Sequence, residues 1–322
     1  MNLPMIPKLI DYGSQPVYVV GHRPADADSV CSAIALANLY RKAGIQAEAR
    51  IASEPDHETE AALAYLGVSV PPVLKDATGQ QLVLVDHNSF AHAVPGAKDA
   101  RIVGIYDHHV LSGAMTTSIV PVVILPYGST GTIVYMIYRQ YGIEIDRETA
   151  SVLATAIMSD TNNCRYPDIT ALDRSALEDL VGIAGIDRNQ FNRARLRGRI
   201  DYTGMTDREV LLSDYRSYEV EGKRIGICYA RSVGEENHRE MIARLQLTLE
   251  RYYPESDTDY LYLMIHDYDT DRQDILYCGN DAGKVAMEAV GSADGAHITL
   301  KPSISRKGEF LPALAKVLEK HI

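Results

Sequence analysis

The stretch PVYVVGHRPADADSV, residues 16–30, decides how the chain reads. Five residues of strand character run into a polar loop. SVCSAIALANLYRKAG follows, with apolar residues at helical spacing and Gly44 as its stop. Asp28 or Ser29 suits the N-cap. A buried strand that feeds a helix is the opening of a βαβ unit. The loop also raises a chemical question, because it holds His22, Asp26 and Asp28. Carboxylates that close repel one another. Either the loop is an ordinary polar turn with Asp28 as cap, or a cation sits among these side chains.

The same pattern recurs along the chain. QAEARI (46–51), QLVLVD (81–86) and RIVGIYDHH (101–109) read as strands, and residues 58–67, 131–142, 146–160 and 170–185 as helices. Near-continuous apolar strands alternating with helices predict an α/β fold whose N-terminal domain has a mostly parallel sheet flanked by helices. Ligands of such sheets gather beyond the carboxyl ends of the strands, where His22, Asp86 and His108 fall. After Asn192 the composition turns polar, and a linker is expected near residues 198–207. Strands at 223–232, 259–268 and 272–280, helices at 235–253 and 283–291, and a closing helix from Lys307 predict a smaller C-terminal mixed α/β domain. The expected domains are residues 1–200 and 207–322.

Composition narrows the function. Of 322 residues, 46% are hydrophobic and 23% charged, which supports a core and excludes a disordered composition. A net charge of -11 argues against tracking a nucleic-acid backbone but leaves room for a small phosphorylated ligand held by local cations. Cys31, Cys164, Cys228 and Cys278 are scattered without a CxxC, as expected of free thiols in a reducing compartment. The leading MNLPMIPKLIDYG lacks a signal-peptide pattern, and no apolar run is long enough to span a membrane. The expectation is a cytoplasmic protein without a membrane partner.

Asp86, His87, Asp107, His108, His109 and Asp160, also at element ends, strengthen the cation reading. Imidazole and carboxylate without thiolate suit Mn²⁺, Fe²⁺, Co²⁺ or Mg²⁺. Two such ions about 3.5–4 Å apart lower the pKa of a water between them and clamp both ends of a phosphoryl transfer. Asp86 is the natural bridge. Arg306 and Lys307 in SISRKGEF, and Arg216 in SDYRSY, each read alone as solvated cations; beside a helix start, SRK also fits a phosphate nest.

GHRPADADS, VDHN (85–88), DHH (107–109), SDT (159–161) with Pro167 and Asp173 beyond it, and SRK (305–307) occur in that order. Together they resemble the DHH phosphoesterase superfamily, and within it the manganese-dependent, family II inorganic pyrophosphatases, over nearly the whole chain. The resemblance implies a DHH catalytic domain and a DHHA2-like substrate domain with the active site between them. It implies hydrolysis of inorganic pyrophosphate to two phosphates by a metal-bridged hydroxide. One metal would be held by His22, Asp26 and Asp86, the other by Asp28, Asp86, His108 and Asp160. His109 would contact phosphate and protonate the leaving group, and Arg216, Arg306 and Lys307 would bind substrate. Asp86, His109, Arg306 and Lys307 would thus carry the catalysis. Mn²⁺ or Co²⁺ in the site, Mg²⁺ with the substrate and a homodimer formed through the N-terminal domain are further implications.

The chain also departs from that pattern. Pro24-Ala25 stands where Asn-Pro is usual, Ser89 where an acidic residue is common, SRKGE where SRKKQ is usual, and Arg216 where Lys is usual. These changes spare the metal ligands and alter the phosphate end. The alternative is therefore a related DHH phosphoesterase acting on polyphosphate, short oligonucleotides or phosphoadenosine phosphates. GSADGAHITLKPS (291–303) lacks the consecutive glycines before His that nucleotide-cleaving relatives carry. A non-enzymatic regulatory domain would be expected to lose ligands first, and here every one is kept.

Overall fold

The computed structural model describes residues 10–113, 116, 118–166, 169–290 and 297–320. Pro167 and residues 291–296 of the sequence motifs lie outside these. The chain divides into two units, Met1–Arg199 and Ile200–Ile322.

The first unit comprises β1 (Val17–Val20), α1 (Ala27–Lys42), β2 (Ala47–Arg50), α2 (His57–Leu66), β3 (Gln81–Val85), β4 (Arg101–Asp107), β5 (Val122–Ile124), α3 (Thr130–Tyr141), α4 (Arg147–Asp160), α5 (Ala171–Ala184) and α6 (Arg188–Arg199). Its strands lie in the order β2-β1-β3-β4-β5 and pair in parallel. β3 is buried at every position, which is why it reads as a continuous apolar run. The order reverses between β1 and β3, and the crevice beyond such a reversal is where open α/β sheets bind ligands. α1 is buried on nearly every side, with Ala27, Ala33, Ala35 and Ala37 letting it sit close to its neighbours.

Two local expectations change. The N-cap of α1 is Asp26, not Asp28 or Ser29: Asp26 Oδ1 accepts the Ser29 N–H at 3.0 Å, and Ser29 Oγ accepts the Asp26 N–H at 3.0 Å. Asp28 instead lies in the first turn, wholly buried. The polar stretch after Asn192 is not linker up to Arg199 but the second half of α6. Its buried face is Phe191, Asn192, Arg195 and Leu196, and the wholly buried Arg195 pairs with Glu58 on α2. A buried guanidinium looks polar in sequence although its partner makes it part of the interior. Gly198 is a contact rather than a break, since a Cβ there would lie 2.3 Å from His57 O and 2.4 Å from Ala61 Cβ.

The second unit comprises α7 (Asp207–Leu212), β6 (Arg216–Val220), β7 (Lys223–Ser232), α8 (Glu235–Tyr252), β8 (Tyr260–Asp267), β9 (Arg272–Cys278), α9 (Ala282–Val290), β10 (Ile298–Leu300) and α10 (Leu311–Glu319). Its sheet runs β10-β9-β8-β7-β6, parallel between β7 and β8 and antiparallel elsewhere. Alternate residues of β7 serve two cores. Ile225 and Ile227 pack with Phe310 and Leu314, while Cys228 and Ala230 pack with Leu245 and Leu249. Among the described residues no helix is long and apolar enough to cross a membrane.

The α2–α6 contact sets a first expectation. Gly198→Val forces a side chain into the His57 carbonyl and destabilises the first unit by about 1–3 kcal/mol. Thermal unfolding followed by circular dichroism reads this as a fall of several degrees in Tm; an unchanged midpoint contradicts the contact.

Candidate metal centre

Three strand ends and two helix ends build the site. Gly21 follows β1, and a Cβ there would lie 2.5 Å from Ser29 Cβ, so only glycine lets the chain leave the strand beside the start of α1. His22 comes next. Asp26 divides its carboxylate: Oδ1 caps α1, and Oδ2 lies 3.4 Å from His22 Nε2. Asp86, directly after β3, has a left-handed backbone with φ of 64°, a conformation that costs energy outside glycine and gathers at functional positions. Its side chain is 1% exposed, with Oδ2 3.3 Å from His22 Nε2 and Oδ1 3.4 Å from His108 Nε2. Asp160 closes α4, a helix end where a negative charge is disfavoured, and its Oδ2 lies 3.3 Å from His108 Nε2.

Asp28 is held more firmly than any of these. It accepts from Ser32 Oγ at 2.8 Å, Ser129 Oγ at 3.0 Å, Thr130 N at 2.7 Å and Gly131 N at 3.0 Å. The last two N–H groups open α3, where the helix dipole favours an anion. Thr130 Oγ1 also donates to Asp86 Oδ1 at 2.9 Å, so one residue orients two carboxylates. His108 Nδ1 lies 3.0 Å from the Tyr127 carbonyl and donates to it, which turns Nε2 toward the carboxylates. The sequence reading missed Tyr127, Ser129 and Thr130. A Ser before a helical run is an N-cap signal, but nothing local tells that the capped helix points at Asp28.

Asp107 and His87 play other parts. Asp107 accepts from Asn88 Nδ2 at 2.5 Å and from the backbone and ring Nδ1 of His109 at 3.1 and 2.9 Å, so it orders the loop after β4. His87 is buried with Nδ1 3.0 Å from the Val85 carbonyl, and burial holds its imidazole down at about 4, hence neutral. His109 is half exposed.

Potential ligand atoms lie within 4.8 Å of one another in three sets: His22, Asp26 and Asp86; Asp28, Asp86, His108 and Asp160; and Asp86, His108 and His109. Asp86 belongs to all three. The donors fit divalent cations on two independent grounds. First, among the described residues Asp86 Oδ2 and His108 Nε2 are buried without a hydrogen-bond partner, a costly state that coordination removes. Second, the charges do not balance unaided. Burial lowers the tendency of His22 to ionise, yet Asp26 and Asp86 outweigh it and push the imidazole up to about 11. His108 likewise overcomes its burial through Asp160, Asp28 and Asp86 and rises to about 10. Burial and the Asp28 carboxylate push Asp160 up to about 7 and Asp86 well above the ordinary carboxylate range. The bare cluster thus retains protons that a divalent ion would displace.

The phosphate-end residues lie in the second unit. Arg306 donates through Nη1 to the Asp214 carbonyl at 2.7 Å and through Nη2 to Asp214 Oδ1 at 2.9 Å. Arg216 is exposed at the start of β6, with Nη1 on the Tyr215 carbonyl at 2.9 Å, and Lys307 is exposed. Arg306–Phe310 form one wide helical turn leading into α10. Glu309 folds back to accept the Ser305 N–H at 2.8 Å.

Metal uptake should therefore release protons. The sign follows from the ligands: their folded, metal-free values of about 11, 10 and 7 leave His22, His108 and Asp160 wholly or partly protonated near neutrality, and the cation binds the deprotonated forms. Mn²⁺ affinity rises with pH, by up to about tenfold per pH unit for each proton displaced. Calorimetric titration in buffers of different ionisation enthalpy measures both quantities. Affinity flat across neutral pH would contradict the assignment.

Comparison with known proteins agrees with this geometry. The family model described as DHH family, N-terminal domain matches residues 16–157, and the DHHA2 domain matches residues 197–317. A manganese-dependent inorganic pyrophosphatase of Methanothrix thermoacetophila is 31% identical over 311 residues, covering 94% of this chain and 99% of the relative. The manganese-dependent inorganic pyrophosphatase of Bacillus subtilis is 27% identical, covering 94% and 99%. A solved structure of a Methanococcus jannaschii protein, assigned as a family II inorganic pyrophosphatase, is similar with a TM-score of 0.56 and 26% identity, covering 94% and 99% of the two chains. Full-length similarity of this kind, on a fold that gathers His22, Asp28, Asp86, His108 and Asp160, means that the chain belongs to the DHH family, in its branch of manganese-dependent, family II inorganic pyrophosphatases.

Proposed function

We propose that this chain hydrolyses inorganic pyrophosphate to two phosphates with a pair of divalent cations held by the first unit. The observation that carries the reading is Asp86, one carboxylate common to all three donor sets. His22, Asp26 and Asp86 would hold one ion, and Asp28, Asp86, His108 and Asp160 the other. Bound there, the ions supply Lewis acidity toward phosphoryl oxygens and acidify water. The remaining work falls to the chain. Asp28 and His108 are pre-oriented by α3 and by the Tyr127 carbonyl, so binding needs little rearrangement. Asp107 fixes the ring of His109 by accepting from Nδ1; with both ring nitrogens protonated, Nε2–H would donate a proton to the departing phosphate and Asp107 would balance the imidazolium charge. Arg216, Arg306 and Lys307 are assigned to the phosphate oxygens, where guanidinium forks suit tetrahedral anions.

Residues 1–200 form the catalytic domain and 207–322 the substrate-binding domain in this reading. The manganese dependence of the relatives supports Mn²⁺, and the nitrogen and oxygen donors suit Co²⁺ as well. Mg²⁺ accompanies the substrate, whose charge calls for a counterion. Pairing of two copies through the first unit is supported by the edge strand β5 and by exposed Val110, Leu111, Ile119 and Val122. Four free cysteines support a reducing, cytoplasmic setting.

Phosphate release from pyrophosphate, tripolyphosphate and a dinucleotide at matched Mn²⁺ tests the reading. Pyrophosphate is the preferred substrate, and a preference for the dinucleotide overturns the proposal. Asp86→Asn removes metal binding and nearly all turnover; full activity after dialysis sinks the assignment. Lys307→Ala raises KM and lowers kcat with metal content unchanged, and loss of metal in that variant shows the residue to be misplaced.

A further inference from the structure

Arg306 does not meet Asp214 alone. Asp214, in the turn before β6, accepts Arg306 through Oδ1 at 2.9 Å and Arg231 through Oδ2 at 3.2 Å. Arg231, near the end of β7, is fixed a second time by Nε donating to the Tyr268 hydroxyl at 3.0 Å. The two guanidiniums also share one ring: their central carbons lie 5.1 Å (Arg231) and 5.9 Å (Arg306) from the centroid of Tyr229. Tyr229 is itself pinned, with its hydroxyl 3.0 Å from His266 Nδ1. Arg231 and Tyr229 are two residues apart on β7 and so occupy the same face of the sheet as Ile227, the face that packs against α10.

Charge counting shows what this cluster lacks. Two guanidiniums flank one carboxylate, and both carboxylate oxygens are already used. Among the described residues these three side chains together carry one net positive charge, held in fixed geometry. Arg231 uses Nη2 on Asp214 and Nε on Tyr268, and the Tyr202 hydroxyl lies beside it, yet its side chain stays 34% exposed. A purely structural ion pair needs one arginine. A second one, braced by a tyrosine and left partly open, is what recognition of an oxyanion requires.

We propose that Arg231 is a further phosphate-binding residue, set beside Arg306 by Asp214 so that the two guanidiniums grip the same phosphoryl group of a phosphoanhydride or of inorganic phosphate. The inference rests on the proposed pyrophosphatase reading and deepens it, because Gly308 and the folded-back Glu309 supply no cation from the turn after Lys307. Asp214 acts as a positioning residue.

Arg231→Ala and Arg231→Lys, made in the full Mn²⁺-loaded chain, decide the matter. The alanine variant should raise KM for pyrophosphate about tenfold and weaken competitive inhibition by inorganic phosphate by a similar factor, the scale of a lost charge-assisted contact. Its Mn²⁺ content stays unchanged. The lysine variant falls between, since it keeps the charge and loses the fork. Unchanged KM and unchanged phosphate inhibition, with or without a lower Tm, overturn the proposal and leave only an ion pair. If alanine prevents folding, the lysine variant carries the same comparison, and parity with the wild type overturns the inference. If the wild type releases no phosphate from pyrophosphate, the parent reading fails by itself. Calorimetric binding of inorganic phosphate then judges Arg231, with equal affinity in wild type and variant as the refuting result.

Discussion

Four carboxylates, Asp26, Asp28, Asp86 and Asp160, converge around the imidazoles of His22 and His108, and most of the first unit can be understood as the means of keeping them there. Buried anions so close together are stable only with positive charge between them. The elevated values of Asp86 and Asp160 express that debt in the metal-free protein, and the donor chemistry specifies hard or borderline cations as its remedy. Parallel strands suit the task. Their carboxyl ends all open on one edge of the sheet, so one short residue pattern per strand delivers a ligand to a common point.

The scaffold supplies precision through backbone groups rather than through more charge. The first N–H groups of α3 hold Asp28, the Tyr127 carbonyl selects the tautomer of His108, and Ser29 fixes one oxygen of Asp26 while the other faces His22. Stability is given up at the same place. Asp86 sits in a left-handed backbone, Asp86 Oδ2 and His108 Nε2 are buried without a hydrogen-bond partner among the described residues, and Asp160 terminates a helix at its unfavourable end. Each feature is unhelpful to folding and useful to a metal site.

The second unit follows the opposite sign of the same logic. There a single carboxylate, Asp214, organises cations, and burial that would raise its carboxyl is outweighed by Arg306 and Arg231, which hold it below the ordinary range. The first unit concentrates negative charge around two imidazoles, and the second gathers two guanidiniums around one carboxylate.

Much of this was legible in the sequence, for a definite reason. Strands buried on both faces must be apolar throughout, so β1, β3 and β4 stand out, and the candidate ligands at their ends are limited to His and Asp by coordination chemistry. What stayed hidden depends on partners far away in the chain. α6 was obscured because Arg195 is interior only by virtue of Glu58, 137 residues earlier. The role of Thr130 depends on Asp28 and Asp86, and that of Asp214 on Arg306, 92 residues later. The short edge strand β5 offers too few residues for a period to show. Sequence by itself determined which chemical groups stand at the ends of which elements, because periodicity and residue type are local properties. Only the tertiary structure decided which donor orients which ligand, because hydrogen bonds and ion pairs between distant residues exist only once the chain has closed on itself.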